Sequence, residues 1–118
     1  MPDDVLQIAF SVQGHTIRIT YRQWSHATEN HDYMSGNLDK VLETISDPDI
    51  IVRGKESESL ALRSYDSTNI TRKTCVLVYK DEPNGFVITA FLTSKPQKIV
   101  NKGTILWSRS PKNGSTGC

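Results

Sequence analysis

Residues 72–95, RKTCVLVYKDEPNGFVITAFLTSK, constrain the fold of this chain more than any other stretch. Two runs rich in β-branched and aromatic residues flank a Pro-Asn-Gly turn, the pattern of a long hairpin at the centre of a sheet. The hairpin also carries polar groups that a purely structural one does not need: Lys73, Thr89, Thr93, Ser94 and Lys95. Threonine is a good strand former, so each threonine alone is weak evidence. It is the set that asks for a reason.

The surrounding chain supplies enough elements for one α+β domain. Val5–Phe10 and His15–Thr20 alternate around Gln13-Gly14 and read as a first hairpin. Thr20-x-x-Gln23 has capping-box spacing, which opens a helix over roughly Tyr21–Asn30 with Tyr21, Trp24 and Ala27 on its inner stripe. HDYMSGN is a loop, and Asn37 caps a second helix with the stripe Leu38, Val41, Leu42 and Ile45, ended by Asp47-Pro48. A short strand follows at Asp49–Arg53, then longer ones at Leu60–Asp66, Lys73–Lys80 and Phe86–Ser94, and a last one at Thr104–Ser108. The order predicts two N-terminal helices packed on a mostly antiparallel sheet of four to five strands, preceded by a β-hairpin. Residues 1–109 form the domain, and the small polar residues of 110–118 predict a disordered tail.

At 118 residues, with 36% hydrophobic and 23% charged content, the chain reads as a globular domain large enough for a real core. No run of 18 apolar residues exists, which excludes a membrane-spanning helix. The acidic N-terminus does not read as a signal peptide. Cys75 lies in an apolar strand and Cys118 ends the chain, which favours a reducing, cytoplasmic setting over a disulfide framework. Asn69-Ile-Thr71 and Asn113-Gly-Ser115 match the glycosylation pattern and, without a secretory signal, read as chance. Before residue 95 there are nine Lys and Arg against 13 Asp and Glu; from residue 95 on there are five cations and no acid. Such a basic segment either contacts a polyanion or an acidic partner, or is a solvated loop.

A turn spanning Asp81–Gly85 pairs Lys80 with Phe86, and so Lys73 with Thr93 and Leu77 with Thr89. If Asp66 pairs with Arg72, Tyr65 lies opposite Lys73 and Arg63 opposite Cys75. Arg63, Tyr65, Lys73, Tyr79, Thr89 and Thr93 then share one face of three strands, a dense cationic and hydroxylic patch. A one-residue slip at either turn sends half of the set to the other face.

The segments ITYRQWSHATENH, LDKVLETISDPDIIVRG, LALRSY, RKTCVLVYK and GFVITAFLTSK, in this order, resemble small phage- and mobile-element-associated bacterial and cyanobacterial proteins. These are placed in the barnase–EndoU–colicin–RelE-like nuclease superfamily. The similarity covers about residues 5–107 through W-x-H in the first helix, D-P-D after the second and the FVITAFLTS strand. The resemblance implies an α+β fold with a four-stranded antiparallel core sheet. It also implies metal-independent RNA cleavage, often as a toxin with an antitoxin encoded alongside. Carried over, the W-x-H histidine is His26, the strand arginine is Arg63, and the threonines are Thr89 and Thr93.

RNA cleavage without metal uses the ribose 2′-OH as nucleophile, and needs a base, an acid and fixed donors around the developing charge. His26, Arg63, Lys73, Thr89 and Thr93 are the catalytic candidates. Tyr65, His31, Ser94, Lys95 and Trp107 are the substrate-binding ones, with RNA and an antitoxin as expected partners. Each has a structural role open to it as well. Taken alone, His26 reads first as a helix-face histidine beside Trp24 and His31 as a cap favoured by the helix dipole, and Arg63 reads also as an ion-pair residue with Asp66 or Glu58. Thr89 and Thr93 read as strand threonines, Trp24 and Trp107 as core or rim residues, and Cys75 as a small core residue. His26 and His31 are five apart, off a common helical face, and HExxH, CxxC and Gly-rich phosphate loops are missing, so neither a metal nor a cofactor is expected. A catalytically inactive RNA- or protein-binding domain of the same fold, or an accessory protein of a mobile element, fits the same residues.

Overall fold

The structure, a computed structural model, describes residues 4–65 and 73–109, and for Asn30 and Asp32 the backbone only. The expected Asp66–Arg72 pairing, the tail 110–118, Cys118 and both glycosylation-like motifs lie outside the described residues. Strand β1 (Val5–Phe10) and β2 (Thr16–Thr20) form the first hairpin, and helix α1 (Tyr21–Asn30) starts directly after it. Thr20 caps α1 through its side chain, accepting from the Gln23 amide at 3.1 Å. Asp32–Gly36 is a short 3-10 helix where a loop was expected, and helix α2 (Leu38–Ser46) follows it. Asn37 stands at the start of α2 without capping it; its Nδ2 instead donates to the Tyr33 carbonyl at 2.8 Å. Val41 and Ile45 of the α2 stripe are fully buried.

Strands β3 (Ile50–Arg53), β4 (Ser59–Tyr65), β5 (Lys73–Lys80) and β6 (Asn84–Thr93) lead to helix α3 (Pro96–Lys102) and strand β7 (Thr104–Ser108). All seven strands join one sheet in the order β1-β2-β6-β5-β4-β3-β7. The expectation of two helices on a sheet of four to five strands is overturned: the sheet has seven strands and is mixed, and there are three α-helices among the described residues. The extra width comes from β2, which pairs in parallel with β6 over Thr16–Arg18 and Asn84–Phe86 and so fuses the first hairpin to the sheet. Strands more than 60 residues apart meet in that pairing, and no local pattern announces it. The third helix was missed because its seven residues, PQKIVNK, hold only two apolar side chains for a stripe.

One sheet face carries the main core: Ile17, Ile19, Ile51, Ala61, Cys75, Leu77, Tyr79, Val87 and Ala90 pack with Val41 and Ile45 of α2. The other face carries a smaller core of Val52, Leu62 and Val76, covered by Ile99 and Val100 of α3. β2 borders only the first three residues of β6. Farther along that edge the Tyr33 hydroxyl takes over, accepting from the Leu92 amide at 3.4 Å. No helix among the described residues is long and apolar enough to cross a membrane.

Candidate functional site

The β4–β5 register is as expected, with Tyr65 opposite Lys73 and Arg63 opposite Cys75. The β5–β6 register starts as expected, with Lys80 opposite Phe86, and is then shifted by a bulge that leaves Ile88 without a partner. Beyond the bulge Val78 faces Thr89, Val76 faces Phe91 and Thr74 faces Thr93. One extra residue reverses every later side chain on a strand. The proposed single patch is therefore divided: Arg63, Tyr65, Lys73 and Tyr79 share the α2 face, and Thr89 and Thr93 stand on the opposite one.

On the α2 face Arg63 is engaged. Arg63 Nη1 donates to the Asp47 carbonyl at 2.6 Å and to Asp47 Oδ2 at 3.1 Å, while Nη2 lies 3.5 Å from Glu43 Oε2. Tyr65 Oη donates to Glu43 Oε1 at 2.7 Å. Burial first, then that hydrogen bond, pushes its phenol well above the ordinary tyrosine range. Arg63 loses some of its proton affinity to burial and regains more from Glu43, Tyr65, Asp47 and Asp49, for a net rise. A guanidinium held in this way braces the α2 C-terminus and offers little to a phosphate. Lys73 is half-buried beside Tyr65. Tyr79 is fully buried, and its hydroxyl has no hydrogen-bond partner among the described residues.

His26 is exposed on the outer side of α1, in a shallow cleft of about 420 Å³ with Tyr21, Arg22, Ser25 and Glu29. Neither Arg63, Lys73, Thr89 nor Thr93 lines that cleft. Trp107 is opposite Ile51 and packs on the main core, so it is no stacking platform beside the basic segment. Ser94 is exposed, and Lys95 starts α3 with its amide donating to Thr93 Oγ1 at 3.1 Å. Cys75 is a core residue, as expected; burial pushes its thiol up to about 11.

The second face brings a different set together. Thr89, Phe91 and Thr93 alternate on β6 and point the same way, all half-buried. His31, at the end of α1, reaches the β6 edge, where its ring centroid stands 5.9 Å from that of Phe91 and 5.6 Å from that of Tyr33. His31 Nδ1 lies 3.2 Å from the Tyr33 hydroxyl. The same hydroxyl accepts from the Leu92 amide. Nearer the turn, Arg18, Phe86 and Lys80 form a row on the same face. The Arg18 guanidinium donates to the carbonyls of Gly85 and Asn84 at 3.3 and 3.2 Å, and Lys80 Nζ to the Glu56 carbonyl at 3.1 Å. These partners are neutral carbonyls, so neither hydrogen bond offsets the charge.

Sequence reasoning missed Phe91 and Arg18. A signal for Phe91 was present: residues at 89, 91 and 93 share a face whatever the register. No group of three His, Cys, Asp or Glu among the described residues is arranged to hold a metal ion. No family model matches the chain, and no curated protein or solved structure matches it.

Proposed function

We propose that this chain is an RNA-directed domain working through the second face of β6, as a metal-independent endoribonuclease with His31 as its proton carrier. The observation that carries the proposal is the His31 ring against Phe91, on a face that also holds the Thr89 and Thr93 hydroxyls. Each group has a task suited to its chemistry. Phe91 offers an apolar ring on which an unstacked base can lie. Thr89 and Thr93 donate to phosphate oxygens. An imidazole can both take and give a proton, and His31 serves the proton of a 2′-OH or of a leaving 5′-oxygen. Lys95, two residues beyond Thr93, supplies charge. His26 and Arg63 take no part.

A second reading is favoured by one feature: His31 is the only proton carrier in this group, whereas transesterification calls for both a base and an acid. In that reading the same face binds RNA without cutting it. Incubating purified protein with single-stranded RNA, and with the same strand carrying 2′-deoxy sugars, separates the two. Cleavage of the RNA alone, abolished in His31→Ala, supports the nuclease. Binding of both strands without cleavage supports the binding domain. No interaction with either removes both. Toxicity on induced expression, relieved by a neighbouring gene product, would extend the first reading to a toxin with its antitoxin.

A further inference from the structure

A second cleft lies on the same side of the sheet but away from His31, between α3 and the turn joining β3 to β4. It has a volume of about 360 Å³. Its floor is apolar, built from Val52, Leu60 and Ile99, and its rim carries Arg53, Lys55 and Lys102. Their three side chains have no hydrogen-bond or ion-pair partner among the described residues, in contrast to Arg63 and Arg109. The one carboxylate in the lining, Glu58, is turned toward its own loop, where Oε1 accepts from the Glu56 amide at 2.7 Å. The chain approaches closely to shape the cleft: a Cβ on Gly103 would meet the Arg53 carbonyl at 2.9 Å and Val52 Cβ at 3.1 Å.

We infer that this cleft binds a nucleoside monophosphate unit, base on the apolar floor and phosphate on the basic rim. The volume falls in the range of small-ligand sites, roughly 300–1,000 Å³. A phosphate monoester carries about −1.5 to −2 at neutral pH, which matches three unpaired cations offset by one acid better than a single carboxylate would. Arg53 offers the planar fork that holds two phosphate oxygens, and Lys55 and Lys102 add mobile point charge. The Thr104 hydroxyl and the backbone at Gly54 and Gly103 supply polar partners for a base edge. This site stands independently of the RNA face around His31.

The test uses methyl NMR of Val52, Leu60 and Ile99 while the intact chain is titrated with a nucleoside 5′-monophosphate, the free nucleoside or inorganic phosphate. The expected result is saturable shifts with the monophosphate at roughly tenfold or more tighter affinity than with either half. Arg53→Ala should weaken binding by a similar factor, and Thr104→Trp, placed at an exposed strand position, should abolish it by filling the cleft without changing the melting temperature. A short RNA bearing a 5′-phosphate identifies the source. If it reproduces the shifts and its 5′-hydroxyl counterpart does not, the cleft takes a strand end; if only the free monophosphate does, it takes a free nucleotide. Shifts that are equal for phosphate alone and untouched by Thr104→Trp would overturn the inference, as would no shift up to about 10 mM monophosphate.

Discussion

Asp47 is shared between two arginines: Arg63 reaches Oδ2 at 3.1 Å from β4, and Arg109 reaches Oδ1 at 2.8 Å from beyond β7. Arg109 also touches Asp49 at 3.3 Å and the Pro48 carbonyl at 3.2 Å. The turn that ends α2 is thus clamped from two strands that are not adjacent in the sheet. The Asp47 side chain is 52% exposed, so screening limits each pair, and sharing rather than any single contact gives the clamp its value. Asp47→Ala should lower stability by about 1 kcal/mol, with a smaller loss in high salt, measured by urea unfolding. Arg63→Ala should also destabilise yet leave RNA affinity unchanged. An affinity loss in Arg63→Ala beyond that of Asp47→Ala would return Arg63 to the site.

The face around His31 makes the reverse prediction. Phe91→Leu keeps the apolar contact with Val76 and removes the ring, so it should weaken single-stranded RNA binding by about 1–3 kcal/mol while changing melting little. His31→Ala should abolish cleavage and reduce binding less. His26→Ala should do neither, since His26 lies in the α1 cleft with Arg22 and Glu29. The groups brought to Phe91 are hydroxyls and an imidazole, and no three His, Cys, Asp or Glu among the described residues are arranged to hold a metal, so cleavage should persist in EDTA. Activity lost on chelation and restored by Mg²⁺ would place the chemistry elsewhere.

Local pattern made much of this fold legible, and the bulge marks where it ceased to be. Thr20 and Gln23 announced α1, Asp47-Pro48 announced the end of α2, and the β4–β5 register followed from symmetric turn lengths. The unpaired Ile88 sits inside an unbroken β-rich run, VITAF, with no glycine to betray it. That residue alone moved Thr89 and Thr93 to the other face. The position of His31 was illegible for a related reason: it depends on α1 running alongside β6, a consequence of the parallel β2–β6 pairing. The basic character of the C-terminal segment was visible, but its two halves, a cleft rim at Lys102 and a helix start at Lys95, appear only once α3 folds onto the second face.

Cys75 links the core to alkaline pH. Its thiol sits at about 11 in the folded chain, against 9.0 for an ordinary cysteine, chiefly because burial disfavours the thiolate. Between these values the unfolded chain has lost the proton and the folded chain keeps it, so unfolding releases a proton and stability falls as pH rises. The loss at pH 11 should reach about 2 kcal/mol from this group, with buried Tyr79 adding to it at still higher pH. Urea midpoints measured from pH 8 to 11 should fall, and Cys75→Ala should flatten the slope over pH 9–11 at a fixed cost in stability. In a Cys118→Ser background, thiol reagents at pH 8 should leave native Cys75 unmodified and label it once the chain is denatured.

Gly85 is where the parallel pairing is won. It is buried, pairs with Ile17, and directly follows the turn from Lys80. A Cβ there would collide with the Lys80 carbonyl, approach Ile17 Cδ1 to 2.6 Å and press on the Glu82 carbonyl at 3.1 Å. Two of those neighbours are backbone and cannot step aside as a flexible side chain would. Gly36, in contrast, has nothing within 4 Å of its hypothetical Cβ. Gly85→Ala should therefore cost about 1–3 kcal/mol, the usual range for overpacking, while Gly36→Ala should be neutral or stabilise by up to about 1 kcal/mol through the unfolded chain. Hydrogen exchange localises the damage: in Gly85→Ala protection should fall first along Thr16–Arg18 and Asn84–Phe86, with Arg63–Cys75 pairing kept. Equal melting temperatures for the two variants would mean that the close approach at Gly85 does not determine how β2 joins the sheet.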